Sequence, residues 1–215
     1  MRISETQLRK IVKRSMLLQE TKSTWVGKLG TERRRGCNFH MTADDNNNFR
    51  GGIREEDTEI TPELFKGLYD AYGVERVVTL NAGRGGKTIP DKITDIEGNE
   101  SGQIIEPIYL PTSDSNDEIR TTRSELDIIF AALDKGGTLV HCAHGGDRTA
   151  AIMGRYYVEM GFMTADEAVL DGYRYKGGCK AWDKYTVASW VEAGRPKCPK
   201  FLKSVEKFIR QGPSR

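Results

Sequence analysis

One short segment constrains the fold of this chain more than any other. Residues 138–141 read TLVH, an apolar and β-branched run that predicts a buried strand. Residues 142–147 form a loop with two glycines, and residues 148–160 then show helical periodicity that ends at Gly161. A strand that passes through a short loop into a helix is the repeating unit of α/β folds, whose sheets are mainly parallel.

The rest of the chain continues this alternation of strands and helices. Thr61-Pro62-Glu63 has the residue types of a helix start, with a capping hydroxyl, a proline in the first turn and an acidic side chain. Apolar periodicity predicts helices over 61–72, 118–134, 165–175, 183–193 and 199–210, and strands over 74–80 and 104–110. The pattern therefore predicts an α/β fold with a mainly parallel sheet.

Charge divides the 215 residues into three parts. Residues 1–36 carry ten Lys/Arg against three Asp/Glu, and residues 195–215 carry seven against one, whereas residues 37–194 carry sixteen against 27. We expect a basic N-terminal helix and linker over 1–36, one main domain over 37–194, and a basic C-terminal helix over 195–215 packed on it or appended to it. The basic ends indicate an anionic partner, contact with the acidic body, or two solvated tails.

Composition excludes several classes of protein. Apolar runs are far shorter than the roughly 18 residues that a membrane-spanning helix needs, so no membrane span is expected. The four cysteines Cys37, Cys142, Cys179 and Cys198 form no CxxC pair and have no metal-type spacing. We therefore expect no metal site, a reducing cytoplasmic location, and Cys179 and Cys198 as packing residues.

The N-terminal segment 1–20 has the pattern of a short basic amphipathic helix, and it lacks the long apolar stretch of a secretory signal. It resembles the head-targeting peptides of some tailed-phage proteins, which are cut after a Leu-x-Glu sequence that Leu18-Gln19-Glu20 matches. The alternative is a helix docked on the domain.

The loop after residue 141 has the residue types of an anion cradle. Successive backbone N–H groups between a strand and a helix N-terminus form such a cradle, and Gly145 and Gly146 permit the dihedral angles it requires. Arg148 adds a planar, permanently charged fork that grips two oxygens of a phosphate.

Cys142 stands at the mouth of this loop, where the amides, the helix dipole and Arg148 are expected to favour its thiolate. The Thr149 hydroxyl is placed to donate to the sulfur, and His141 to hold the loop through its ring. A nucleophile at the centre of a phosphate cradle indicates phosphoryl transfer through a phosphocysteine. The alternative is that Cys142 is an ordinary buried thiol and Arg148 a surface residue.

The segment HCAHGGDRT, residues 141–149, resembles the H-C-x5-R-[ST] signature of cysteine-dependent protein tyrosine and dual-specificity phosphatases, in their small bacterial, phage or atypical form. The resemblance covers about 49–176 and implies a single domain with a four- to five-stranded, mostly parallel sheet flanked by helices. It also implies a catalytic domain over 37–194, with Cys142 as nucleophile and Arg148 as the residue that binds phosphate and stabilises the transition state. Thr149 is implied to help the cysteine leave in the second step and His141 to orient the loop, and no cofactor is implied. The phosphate-binding residues that it implies are Ala143, His144, Gly145, Gly146, Asp147 and Arg148.

The general acid that the resemblance implies is an Asp on a loop some thirty residues before the cysteine. Asp114 lies 28 positions before Cys142 and is our first choice, and Asp117 is the alternative. Asp117 also fits the N-cap of the helix predicted from residue 118. Asp147, inside the loop, is a third candidate, and a structural role is expected for it, turned away from phosphate and hydrogen-bonded to the loop or to Arg148.

Three functions agree with these residues. The first is a phosphatase acting on protein phosphotyrosine, with phosphoserine and phosphothreonine as further substrates. The second is the same chemistry on RNA 5′ ends or other small phosphate esters, since His144-Gly145 resembles RNA 5′-triphosphatase signatures. The third, from another class, is a catalytically weak phosphate-binding module. A phosphorylated protein is the expected partner, and no oligomeric state follows from the sequence.

Overall fold

The computed structural model describes residues 37–44, 46–52, 69, 72–80, 106–110, 113–114, 118–176 and 184–211. The predicted helix within 1–20, the linker that follows it and most of the predicted helix 61–72 lie outside the described residues. The strands are β1 (Cys37–Met41), β2 (Phe49–Gly52), β3 (Arg76–Thr79), β4 (Glu106–Tyr109), β5 (Ser113–Asp114), β6 (Ile119–Arg120) and β7 (Thr138–Cys142). The helices are α1 (Arg123–Lys135), α2 (Arg148–Glu159), α3 (Ala165–Tyr175), α4 (Val187–Glu192) and α5 (Lys203–Arg210).

A five-stranded sheet in the order β1-β2-β7-β3-β4 forms the centre of the fold. The last four of these strands are parallel, and β1 pairs antiparallel with β2 at the edge. This arrangement confirms the predicted α/β fold with a mostly parallel sheet flanked by helices. Because β7 lies between β2 and β3, the carboxyl ends of three strands meet where the glycine loop begins.

The start of α1 differs from the sequence prediction. A helix was predicted from residue 118, but Ile119–Arg120 pairs as β6 with Ser113–Asp114, and the helix begins at Arg123. Thr122 caps it, because its side chain accepts from the backbone of Glu125 while the Glu125 carboxylate accepts from the backbone of Thr122. This reciprocal capping box satisfies two backbone donors and fixes the helix start.

The later elements agree with their predicted positions. The helix over 165–175 is α3, and Thr164 caps it as the sequence predicts. The predicted strands 74–80 and 104–110 contain β3 and β4, and the predicted helices 183–193 and 199–210 contain α4 and α5. The last two helices are shorter than their apolar periodicity indicated, because each begins several residues later.

Helix α2 lies at the centre of the core. Its residues from Thr149 to Tyr157 are all buried, which is unusual for a helix and shows that it is covered on every side. A β-carbon on Gly154 would approach the Ile209 side chain to 2.7 Å, so the missing side chain lets α5 lie close to α2. Val205, Phe208 and Ile209 are buried at this contact, and α5 is thus packed on the body of the fold.

Cys198 corrects one expectation about the cysteines. It was expected to be a packing residue, but it is both buried and disulfide-bonded. Among the residues that the structure describes, Cys142 is a free cysteine.

Candidate active site

The segment that follows β7 builds the candidate site. Cys142 is the last residue of β7, residues 143–147 form the loop, and Arg148 is the first residue of α2. β2 pairs with β7 so that Gly52 lies opposite Cys142, and β3 pairs with it so that Thr79 lies opposite His141. The loop therefore starts between two strand ends, which fix its position from both sides.

Gly145 lets the loop fold back onto β2. Its φ of +65° lies in the left-handed region that side chains disfavour, and a β-carbon there would stand 2.7 Å from the carbonyl carbon of Gly51. The hydroxyl of Thr149 donates to the carbonyl oxygen of Gly51 at 3.4 Å, which joins α2 to the same strand. The sequence analysis placed this hydroxyl against the cysteine sulfur, whereas the structure directs it to β2.

The backbone N–H groups of the loop are suited to an anion. Within the described part of the chain, no group accepts a hydrogen bond from the N–H of Gly145, Gly146 or Asp147. Asp147 is also the N-cap of α2, yet its side chain makes no capping hydrogen bond to the first turn. Such N–H groups at a helix N-terminus attract negative charge.

Arg148 is anchored beside this loop. Its Nη1 donates to the carbonyl oxygen of Leu80 at 3.2 Å, just beyond the carboxyl end of β3. The residue is partly exposed, and its guanidinium carries five N–H donors in one plane. The contact thus fixes the guanidinium at the carboxyl end of β3, the strand next to β7.

His141, the residue before Cys142 in β7, contributes a neutral ring that contacts β3. Its Nε2 and the hydroxyl of Thr79 are 2.8 Å apart, and the side chain is fully buried. Burial is the main cause that lowers the pKa of His141 to about 4, and the nearby Arg148 charge adds to it. The ring is therefore uncharged at neutral pH and links β7 to β3 by one hydrogen bond.

Cys142 is buried as well as free. Only 2% of the residue is exposed, and it belongs to the same buried cluster as Val140 and Ala150. Any group that reacts with its sulfur must reach into the fold beside the loop.

Asp147 forms an ion pair that the sequence analysis did not anticipate. It was expected to bond the loop or Arg148, but its Oδ2 pairs with the ammonium of Lys176, the residue that follows α3. Its Oδ1 is buried and has no hydrogen-bond partner among the described residues. The Lys176 chain also passes close to Gly146, since a β-carbon there would stand 3.4 Å from the Lys176 Cδ.

The other two acid candidates are only partly placed. Asp114 lies in β5, opposite Ile119 of β6, and its side chain is outside the described part of the structure, as is all of Asp117. One reason for setting Asp117 aside was wrong, because the cap of the helix that follows is Thr122 and not a residue near 118.

A buried cluster beneath the loop was missed by sequence reasoning. Arg50 of β2 donates from Nη1 to the Asp171 carboxylate at 3.2 Å and from Nη2 to the carbonyl oxygen of Gly145 at 3.4 Å. Its guanidinium carbon lies 3.9 Å from the ring centre of Tyr175. The sequence analysis assigned no role to Arg50, and nothing local in its segment predicts a contact with residues more than ninety positions away.

Two neighbours of Arg50 have shifted acidities. Burial raises the pKa of the Asp171 carboxyl, and the Arg50 and Arg174 charges oppose that rise. Burial, together with the Arg50 charge, lowers the pKa of His40 to about 4. The His40 ring centre lies 4.7 Å from that of Tyr175, so a neutral imidazole packs beside the phenol ring that Arg50 contacts.

The described residues form neither a metal-type cluster nor a membrane-spanning helix. No group of three or more His, Cys, Asp or Glu side chains in that part of the chain is arranged to hold a metal ion. No helix in that part is long and apolar enough to cross a membrane.

Comparison with known proteins gives structural likeness only. No protein-family profile matches the chain, and no curated protein matches it. The fold resembles the core catalytic domain of the PP-IP phosphatase SIW14 from S. cerevisiae at 12% identity and a TM-score of 0.48, over 82% of this chain and 85% of that one. It also resembles the Yvh1 phosphatase domain from Chaetomium thermophilum at 18% identity and a TM-score of 0.43, over 74% of this chain and 98% of that one.

A third similar structure is TpbA from P. aeruginosa, at 15% identity and a TM-score of 0.44, over 73% of this chain and 90% of that one. The first two proteins are phosphatases by name. Because all three TM-scores lie below 0.5, the function proposed next is supported by the geometry of this chain alone.

Proposed function

We propose that this protein is a cysteine-dependent phosphatase that hydrolyses phosphate monoesters through a phosphocysteine intermediate. The observation that carries the proposal is the loop between β7 and α2. It begins at a free cysteine, contains three successive N–H groups without partners in the described structure, and ends at an arginine anchored to Leu80. Donors arranged in this way bind a tetrahedral oxyanion and stabilise the charge that develops during phosphoryl transfer.

In the first step the thiolate of Cys142 attacks phosphorus. The S–P bond forms while the bond between phosphorus and the ester oxygen breaks, and the leaving oxygen takes a proton from a carboxylic acid. The loop amides and Arg148 hold the three remaining oxygens, whose negative charge they neutralise. The neutral, buried His141 fixes the strand end from which the sulfur projects.

In the second step water replaces sulfur. The same carboxylate accepts a proton from the water, whose oxygen attacks phosphorus while the P–S bond breaks and the thiolate leaves. We propose Asp114 as this acid and base, with Asp117, three positions later, as the alternative. Asp147 is the third candidate, and its ion pair with Lys176 favours a structural role.

We propose protein phosphotyrosine as the main substrate, with phosphoserine and phosphothreonine as slower ones. The support is the burial of Cys142, of which 2% is exposed. A phosphate at the end of a long, slender phenol ring reaches a buried sulfur more readily than a phosphate held close to a peptide backbone.

The test is hydrolysis of p-nitrophenyl phosphate in the presence of a metal chelator. We expect turnover by the natural protein, inhibition by orthovanadate, and loss of turnover in Cys142→Ser. The thermal unfolding midpoint of Cys142→Ser is measured as the control that this variant keeps its fold. Equal inertness of the natural protein and Cys142→Ser would leave only a phosphate-binding module.

The substrate class is tested by measuring kcat/KM on four kinds of substrate. Phosphotyrosine peptides should give a higher kcat/KM than phosphoserine peptides, phosphoinositides and 5′-triphosphate RNA. A higher kcat/KM on RNA ends would replace the protein substrate and keep the chemistry.

A further inference from the structure

We propose that Arg50 is a positioning residue that fixes the orientation of the peptide between Gly145 and Gly146, and thereby the ability of the loop to bind phosphate. The inference rests on the proposed function, and it gives a residue outside the loop a role in that function. Arg50 lies on β2, only 1% of it is exposed, and its guanidinium contacts Asp171, Gly145 and Tyr175.

The contact with Gly145 decides where the next N–H group points. Arg50 Nη2 donates to the Gly145 carbonyl oxygen at 3.4 Å, which turns that oxygen toward β2. The Gly145–Gly146 peptide is planar and trans, so its N–H points away from its C=O. The Gly146 N–H, which has no acceptor among the described residues, is therefore directed to the opposite side, where an anion would lie.

A peptide between two glycines needs such a restraint. Glycine adopts positive and negative φ with similar ease, so this peptide can rotate at little cost. Rotation by half a turn would direct the Gly145 carbonyl oxygen at the phosphate, and two negative groups would then face each other. The Arg50 contact opposes that rotation because it would leave a buried guanidinium donor without its acceptor.

Arg50 is itself held in place from three directions. Its Nη1 contacts Asp171 of α3 at 3.2 Å, its guanidinium carbon lies 3.9 Å from the Tyr175 ring centre, and its backbone is part of the β2–β7 pairing. Its Nε is buried without a hydrogen-bond partner in the described structure. Burial of a charged guanidinium with one unpaired donor costs free energy, which its other contacts must offset. The hydrogen bond to the Gly145 carbonyl oxygen is one of these contacts.

The chain offers a matched control in Arg155. This arginine is also buried, at 3% exposure, donates to one carboxylate, Glu159, and donates from Nη1 to one backbone carbonyl, that of Phe208 at 3.1 Å. Its guanidinium carbon also lies over an aromatic ring, at 5.6 Å from the Phe208 centre. The two arginines therefore share their kinds of contact, but only Arg50 contacts the phosphate loop.

The experiment measures tungstate binding by calorimetry and thermal unfolding in the full-length chain, for Arg50→Met, Arg50→Lys, Asp171→Asn and Arg155→Met. Tungstate is a tetrahedral oxyanion that needs no turnover. We expect both methionine variants to lose thermal stability, but only Arg50→Met to bind tungstate about tenfold or more weakly. Arg50→Lys keeps the charge without the fork and should recover part of the affinity.

Unchanged tungstate affinity in a folded Arg50→Met would overturn the inference, as would an equal loss of affinity in Arg155→Met. If Arg50→Met does not fold, Arg50→Lys and Asp171→Asn decide, and natural tungstate affinity in both variants would overturn the inference.

Turnover separates the two proposals. A natural protein that binds tungstate but hydrolyses no phosphate ester would refute the phosphatase and leave the role of Arg50 supported by binding, whereas a protein that does not bind tungstate would refute both.

Discussion

Gly145 and Gly51 are in backbone contact, so closely that a β-carbon on Gly145 would stand 2.7 Å from the Gly51 carbonyl carbon and 2.8 Å from its oxygen. The loop that begins at Cys142 thus rests directly on the carboxyl end of β2. No side chain separates them, and the position of the loop amides follows from the position of the strand.

The first prediction concerns this contact. Gly145→Ala should lower the free energy of unfolding by about 3 kcal/mol or more, because it adds a clash to the strain of a positive φ. Gly161 has a similar φ of +72° with no heavy atom within 4 Å of its β-carbon, so Gly161→Ala should cost only about 1 kcal/mol. Urea unfolding of both variants measures the difference. Equal losses would show that Gly145 is required for its dihedral angle alone.

The second prediction concerns pH. The folded state lowers the pKa of His141 from 6.5 to about 4, so the unfolded chain binds the proton more tightly. The stability that His141 contributes is therefore fully present above pH 6.5 and is lost as the pH falls toward 4, at about 1.4 kcal/mol per pH unit. Urea unfolding at several pH values measures this slope.

His141→Gln should flatten that slope between pH 6.5 and 5, where few carboxylates titrate. His144→Gln, in which an exposed histidine is replaced, is measured in parallel as the control. The slope that remains in His141→Gln includes His40, whose pKa is also lowered to about 4, and Asp171, whose raised pKa acts in the opposite direction. Equal slopes in the natural protein and His141→Gln would contradict the prediction.

The third prediction concerns the pair of Asp147 and Lys176. Lys176→Met leaves the carboxylate without its counter-ion beside the loop, so tungstate affinity should fall by about threefold to tenfold. The double variant Asp147→Asn, Lys176→Met should recover the affinity, because no carboxylate remains to repel the anion. Lys203→Met, an exposed change of equal charge on α5, should have little effect. A double variant as weak as Lys176→Met would show that the lysine itself binds the oxyanion.

The fourth prediction concerns the general acid. Asp114→Asn should slow hydrolysis of phenyl phosphate by about a hundredfold or more, since phenolate leaves poorly without a proton. The effect on p-nitrophenyl phosphate should be much smaller, because its leaving group is more acidic. Asp117→Asn and Asp147→Asn are assayed in parallel. A selective loss in either of these variants, with Asp114→Asn unaffected, would transfer the role.

The sequence predicted the parts of the fold that local pattern determines. The strand 138–141, the glycine loop and the following helix are contiguous, and their periodicity and glycines are enough to place them. Thr164 was identified as a helix cap because its partner is three residues away. These contacts are short in sequence, so one sequence shows both partners.

The remaining features depend on distant partners. The contact of Arg50 with Asp171 joins residues 121 positions apart, and that of Arg148 with Leu80 joins residues 68 apart. The start of α1 was misplaced because Ile119 fits the apolar periodicity of the helix that follows, yet Ile119–Arg120 pairs with β5. Residues such as these can join a strand, cap a helix or remain exposed, and contacts with distant parts of the chain decide which of these occurs. A single sequence does not show those contacts.

The most direct test of the central claim is to trap the intermediate on Cys142. The natural protein is mixed with p-nitrophenyl phosphate, quenched in acid within the first turnover, and digested for mass spectrometry. We predict one phosphoryl group on the sulfur of the Cys142 peptide, formed with the burst of nitrophenol and absent in Cys142→Ser. Continued turnover by Cys142→Ser, or turnover by the natural protein with the phosphoryl group on another residue or on none, would contradict the account.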